Sequence, residues 1–369
     1  MKTKKIVTTI GAVMLAVAIA AGDLRGQSWS FVGKESDFEL HDFHFSDGSV
    51  LPVLRLHVST LGQPRRDASG KVTNAVVILH GTGGTGRGFL SPTFAGELFG
   101  PGELLDSATH FIILPDGIGA GKSSKPSDGM KARFPNYRYS DMVSAQYRLI
   151  TEGLKVNHLL LVMGTSMGGM QTWMWGERYP TFMDGLLPLA SVPSAMAGRN
   201  RMMRKLVSDA IRNDPDWNGG NYTAQPRGLS GAEEMLFMMT SSPLQLLKVA
   251  PLRDSADAYV TRWMRTHLAS TDANDFVYQF EASGDYDPSP NLESIVAPLV
   301  AINSADDQVN PPELGIVERL MPRVARGRYV LIPISDRTRG HGTHSLPAIW
   351  KGYLGELLAG IEKGGQPTP

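Results

Sequence analysis

Ser166 stands in the run Gly164-Thr165-Ser166-Met167-Gly168-Gly169, after an apolar stretch at 158–163 and before a helical pattern at 170–178. Glycine two residues before and two after a serine, between a strand and a helix, is the G-x-S-x-G spacing of a nucleophile elbow. So tight a turn leaves no room for a Cβ at either glycine, and it holds the serine Oγ out above the sheet. The helix that follows points free N–H groups and its dipole at negative charge developing on an acyl oxygen. The alternative reading is a plain glycine-rich turn. Serine is a weak nucleophile, so a base must come from elsewhere in the chain.

The arrangement resembles that of α/β-hydrolases, which bring up the partners in the chain order serine, acid, histidine. Two acids follow the apolar run 299–302, in Asn303-Ser304-Ala305-Asp306-Asp307-Gln308-Val309-Asn310-Pro311. Either could orient an imidazole. Asp307 is preferred because it begins the usual Asp-x-hydrophobic-x-Pro pattern, which leaves Asp306 as a loop-capping or solvated carboxylate. Two histidines follow the last apolar run, in Arg339-Gly340-His341-Gly342-Thr343-His344. His341 is preferred because a preceding glycine lets the loop carry the ring over the serine, with His344 as a pocket or supporting residue. The His-x-x-His pair could also bind a metal, but no further ligand cluster accompanies it, and no metal or other cofactor is expected. The oxyanion donors would be the amide of Met167 and one from His80-Gly81-Thr82-Gly83-Gly84, most naturally Thr82, with Gly81 beside the substrate. Each donor removed costs about 3–4 kcal/mol of transition-state stabilisation. The dull alternative for that loop is a flexible connection.

Something must hold these residues at the ends of strands. Short continuous apolar runs at 75–79, 111–115, 158–163, 185–189, 299–302 and 329–333 read as buried parallel strands. From 198 to 285 helical periodicity replaces them, broken at Gly219-Gly220 and Pro243. The expectation is an α/β-hydrolase fold: a mostly parallel central sheet flanked by helices, with a body at 28–197 and 286–363, a helical cap inserted at 198–285, and a frayed tail at 364–369. Twelve of the 17 methionines fall from Met163 to Met264, with Met235, Met238 and Met239 in one helical stretch. They read as an adaptable lining for an apolar pocket or, more simply, as packing between cap and body.

With 36 Lys+Arg against 36 Asp+Glu, the chain of 369 residues has no charge footprint for a nucleic acid. A chain this long buries roughly three quarters of its unfolded surface and needs no staples; the absence of Cys suits any redox compartment. Lys2, Lys4 and Lys5 ahead of the uncharged run 6–22, closing in Ala18-Ile19-Ala20, read as a secretory signal peptide at 1–27. A periplasmic or secreted protein with no stable membrane insertion is therefore expected; the alternative is an uncleaved anchor. The run Asp116-Gly117-Ile118-Gly119-Ala120-Gly121-Lys122-Ser123 imitates a phosphate-binding loop, but Asp116 stands where the first glycine must be, so it reads as a structural turn.

Blocks beyond the elbow resemble the homoserine O-acetyltransferase family of α/β-hydrolases over residues 50–358. They are Phe99-Gly100-Pro101-Gly102-Glu103-Leu104-Leu105-Asp106, Phe134-Pro135, Asp141-Met142-Val143-Ser144-Ala145-Gln146, the elbow through Gln171, Asp214-Pro215-Asp216-Trp217-Asn218-Gly219-Gly220-Asn221-Tyr222, Asp272-Ala273-Asn274 and Gly340-His341. The resemblance implies acyl transfer through an acyl-serine, with Ser166, Asp307 and His341 at the matching positions, a small acyl substrate and a homodimer through the cap. Where the family holds the homoserine carboxylate with an arginine, this chain has Ser208, and Arg204 one helical turn away is the available substitute. Where the family ends in Gly-His-Asp, this chain has Gly-His-Gly. Both departures, together with export, favour water as the acyl acceptor. Retention of all three triad residue types argues against a hydrolase homologue that only binds a ligand.

Overall fold

Two long strands open the structure, and no continuous apolar run announces either: β1 (Lys34–His44) and β2 (Val50–Leu61). The computed structural model describes residues 31–364; the expected leader at 1–27 and residues 365–369 of the tail lie outside the described residues. Most β1 side chains are exposed, and the alternation slips at Asp42 (φ 48°), so that Leu40 and Phe43, three apart, are both buried. The pattern that marks a half-buried strand is therefore missing.

The remaining order is β3 (Ala75–Leu79), α1 (Pro92–Leu98), β4 (Phe111–Pro115), α2 (Tyr139–Arg148), β5 (Leu161–Thr165), α3 (Met167–Arg178), β6 (Leu186–Leu189), α4 (Gly198–Arg212), α5 (Gly228–Thr240), α6 (Pro243–Val249), α7 (Arg253–Leu268), α8 (Ala273–Glu281), β7 (Leu299–Ser304), α9 (Ile316–Leu320), β8 (Gly327–Ile332) and α10 (Pro347–Glu362). The eight strands form one sheet in the order β1-β2-β4-β3-β5-β6-β7-β8. The β1–β2 and β2–β4 pairs are antiparallel and the rest parallel. Strand β3 shows why the inner strands are apolar throughout. Ala75, Val77 and Leu79 face the core shared with Trp173 and Trp175 of α3, whereas Val76 and Ile78 face the core shared with Phe94 and Leu98 of α1 and Trp350 of α10. Both faces are covered, and each such side chain contributes about 1.5–3 kcal/mol by leaving water.

Between β6 and β7 the chain forms helices α4 to α8, which keep a core of their own around Met203, Val207, Ile211, Leu229, Phe276 and Phe280. Blocks quoted above for the family resemblance hold this region together. Trp217 Nε1 donates to Asn274 Oδ1 at 2.9 Å, Asn274 Nδ2 to the Gly220 carbonyl at 2.9 Å, and Tyr222 Oη to Asp272 Oδ1 at 2.7 Å. Gly220 (φ 86°) permits the close approach, since a Cβ there would stand 2.5 Å from that of Ala132. Behind the elbow, Gln146 and Gln171 from two other blocks pair at 2.7 Å. Among the described residues no helix is long and apolar enough to cross a membrane.

Candidate active site

Ser166 sits between β5 and α3 at φ 54°, ψ −113°, a conformation that costs a non-glycine residue about 1–3 kcal/mol and persists because its surroundings enforce it. A Cβ on Gly164 would lie 2.2 Å from the Gly168 carbonyl oxygen, and one on Gly168 would lie 2.0 Å from that of Leu79. The spacing of glycines about the serine is thus a steric requirement of this turn.

His341 joins the serine to the acid. Its Nε2 lies 2.7 Å from Ser166 Oγ and its Nδ1 2.8 Å from Asp307 Oδ2. Asp307 is fully buried, and its Oδ1 accepts from the amides of Val309 at 2.8 Å and Asn310 at 3.2 Å, while Asn310 Nδ2 donates to its Oδ2 at 3.2 Å. Burial alone would raise its pKa, but the adjacent His341 and the donated hydrogen bonds outweigh burial and hold it below the ordinary carboxylate value. An ionised Asp307 fixes the proton on Nδ1, leaving Nε2 to accept from the serine hydroxyl. Asp306 points elsewhere: its Oδ2 accepts from Ser242 Oγ and the Gly340 amide, and its Oδ1 from Ser304 Oγ.

The His-x-x-His pair does not converge on a common point. Both nitrogens of His341 are engaged, and the His344 ring meets it edge-on with centroids 5.3 Å apart. Burial, with His341 adding to it, pushes the His344 pKa down to about 3, so this ring is neutral near pH 7.

The amide of Met167, the first residue of α3, has no intrahelical acceptor. Gly81 brings the loop after β3 against the elbow, where a Cβ on it would lie 3.3 Å from Ser166 Cβ, and the Thr82 amide finds no hydrogen-bond partner among the described residues. Two side chains fix this loop. His80, buried, accepts from the Gly117 amide at Nε2 (2.9 Å), which places its proton on Nδ1 for the Gly81 carbonyl (2.8 Å); burial depresses its pKa and keeps it neutral. Gln279 of α8 accepts from the Gly83 amide and donates to the Gly119 carbonyl, both at 2.7 Å. Neither role has a signal in the sequence: His80 is one residue of a glycine-rich loop, and Gln279 lies 196 residues from Gly83, too far for any local pattern to pair them. The Asp116–Ser123 run is a structural turn: Asp116 accepts from the amides of Gly86 at 2.8 Å and Lys122 at 2.9 Å.

Ser166 and His341 open into a cavity of about 790 Å³ whose far wall is helical. Gly81, Thr82, His344 and Arg204 all line it. Ser208, one turn further along α4, is buried but does not line it. Arg204 is 5% exposed, hydrogen-bonds Asn200 Oδ1 (2.9 Å) and Ser283 Oγ (3.3 Å), and pairs with no carboxylate among the described residues. Of the two readings of the methionines, packing prevails: among the described residues only Met203 lines the cavity, and most of the others sit in or against the cores. Helix α5 turns Glu233, Leu236 and Thr240 inward at helical spacing, which sends Met238 to solvent and leaves Met235 and Met239 packed against the cap core.

The profile of the α/β-hydrolase fold family matches residues 74–326. A homoserine O-acetyltransferase of Moorella thermoacetica is 30% identical over 363 residues, covering 85% of this chain and 94% of that protein. A solved homoserine O-acetyltransferase from Bacillus anthracis superposes with a TM-score of 0.77 at 21% identity, covering 89% of this chain and 98% of the other. The solved acetyl esterase MekB does so with 0.76 at 23% identity, covering 89% and 97%. At such identities the two structures speak for the fold alone.

Proposed function

Because this chain belongs to the α/β-hydrolase fold family, in its homoserine O-acetyltransferase-like branch, we propose that it cleaves an ester or related acyl bond through an acyl-serine intermediate. The observation that carries this reading is His341 bridging Ser166 Oγ and Asp307 Oδ2 at 2.7 and 2.8 Å. Ser166 Oγ attacks the acyl carbon as its proton passes to His341 Nε2. The oxyanion is met by the amides of Met167 and Thr82. Collapse breaks the bond to the leaving alcohol, which takes the proton from His341. Water, deprotonated by the same nitrogen, then releases the acid and restores the serine. Asp307 orients the ring and stabilises its cationic form. Hydrolysis leads because Gly342 and Ser208 stand where the family carries an aspartate and an arginine.

A second reading, acyl transfer to an alcohol that carries a carboxylate, is favoured by one specific feature: the buried, acid-free guanidinium of Arg204 in the cavity wall. One assay tests both. A fluorophosphonate should label the wild-type protein at Ser166 and leave Ser166→Ala unmodified, and p-nitrophenyl acetate should be turned over. If homoserine diverts the acetyl group from water, and Arg204→Met abolishes that diversion without slowing hydrolysis, the transferase reading replaces the hydrolase one. Lack of labelling with intact folding would leave a ligand-binding homologue.

Two further proposals stand on the sequence. Export rests on the basic-then-apolar leader, and the N-terminus of the protein recovered from cell fractions tests it. A homodimer through the cap draws support from exposed Met202, Leu206, Leu247 and Leu252, and sedimentation of the wild type against Leu247→Glu tests it.

A further inference from the structure

Asp306, the acid that does not face the imidazole, is nonetheless 7% exposed and accepts three hydrogen bonds from three separate parts of the chain. Ser304 Oγ, at the end of β7, donates to its Oδ1 at 2.5 Å. Ser242 Oγ, which opens α6 of the cap and is itself 3% exposed, donates to Oδ2 at 3.0 Å. The amide of Gly340, the residue before His341, donates to the same oxygen at 2.9 Å. A carboxylate this buried, with no cation beside it among the described residues, would be costly without such donors, so the site is built around a negative charge.

Independent contacts bring the same cap corner to the same loop. Gly340 adopts φ 59°, and a Cβ there would lie 2.9 Å from the Ser241 carbonyl oxygen, so cap and loop backbones touch one peptide before the catalytic histidine. Gln245 Nε2, further along α6, donates to the Asp336 carbonyl at the start of the loop. The helix leading into this corner, α5, turns Glu233, Leu236 and Thr240 to the cavity and ends where Ser241 and Ser242 begin. We propose that Asp306 is a positioning residue that latches the α5–α6 corner of the cap to the loop carrying His341, so that the cavity wall and the general base are set together.

The inference rests on the acyl-serine reading, and the test separates the two. Fluorophosphonate labelling of Ser166 and steady-state hydrolysis of p-nitrophenyl acetate are measured on the wild type, Asp306→Asn and Ser242→Ala, alongside thermal unfolding. Asp306→Asn keeps the shape but removes the charge, and Ser242→Ala cuts only the cap arm. Displacements well under an ångström at a general base cost on the order of 10-fold, and about 100-fold for a full ångström. The expected result is therefore a fall of about 10-fold in kcat and labelling rate for Asp306→Asn and of about 3-fold in kcat/KM for Ser242→Ala, with KM raised in both because the cavity wall shifts. Variants that label and turn over like the wild type, whether or not they melt earlier, overturn the latch. If Asp306→Asn does not fold, Ser242→Ala decides. A wild-type protein that neither labels nor hydrolyses defeats the acyl-serine reading first, and the latch with it.

Discussion

The floor of the cavity and its roof are built differently. On the floor, Ser166 is forced by glycine sterics, Asp307 is fully buried under three donors, and the Gly81–Gly84 loop is pinned by His80 and Gln279. The roof is a set of helices with a small core of its own, a guanidinium at Arg204 that pairs with no carboxylate among the described residues, and exposed apolar side chains such as Met202 and Leu252 on its outer surface. Preorganised donors and fixed rotamers belong where charge develops in the transition state; a wall that sees only the rest of the substrate can be assembled more loosely. Chemistry is therefore read from the floor, and substrate choice from the roof.

Replacing Asp307 with Asn should have the largest effect, a fall of about 10⁴-fold in kcat, because an amide at that place favours the wrong imidazole tautomer. Near-normal turnover would show that the floor is not organised around this hydrogen-bonded pair. Gln279→Leu crosses the boundary between the regions, since it removes a roof side chain that holds the Gly81–Gly84 loop, the proposed source of an oxyanion donor. A loss of about 10- to 100-fold in kcat is expected, less than the roughly 100- to 1000-fold of removing a donor outright because the loop is loosened rather than cut, and an unchanged kcat would mean that the loop holds itself. The smallest effect concerns a contact between roof and body away from the serine. Asp275 of α8 has its pKa raised to about 6, mainly by burial, although it accepts from the Ser127 amide at 2.9 Å and hydroxyl at 2.6 Å. Protonation is thus tighter in the folded chain than in the unfolded one. The resulting stability is present below the ordinary carboxylate pKa and lost as pH rises through about 6. Asp275→Asn, which keeps both contacts, should stabilise the protein by about 1 kcal/mol at pH 8 and make little difference at pH 4, as read from denaturant unfolding.

What was legible in the sequence follows the same division. The elbow and the inner strands β3 to β7 announce themselves, because a strand covered on both faces is apolar nearly throughout and the turn at Ser166 excludes side chains at fixed offsets; the edge strand β8 shows an apolar run although only some of its side chains are buried. Sequence could narrow the acid to Asp306 or Asp307, and the histidine to His341 or His344, but adjacent residues on a loop point to opposite sides only once the loop is folded. Strands β1 and β2 escaped notice because one is largely exposed with its alternation interrupted at Asp42. The methionines left lining and packing both open, because it is helix phase that assigns α5 positions to cavity, core or solvent, and phase depends on where the cap docks. His80 and Gln279 act across tens to hundreds of residues, a relation that no local pattern encodes.

An acyl-serine mechanism requires a covalent bond at one oxygen. Rapid acid quench of the wild-type protein with p-nitrophenyl acetate, followed by mass spectrometry of its peptides, should find the acetyl group on Ser166, appearing before steady state and vanishing as substrate is exhausted. Steady hydrolysis with that peptide unmodified, or with the acetyl group on another residue, would contradict the account.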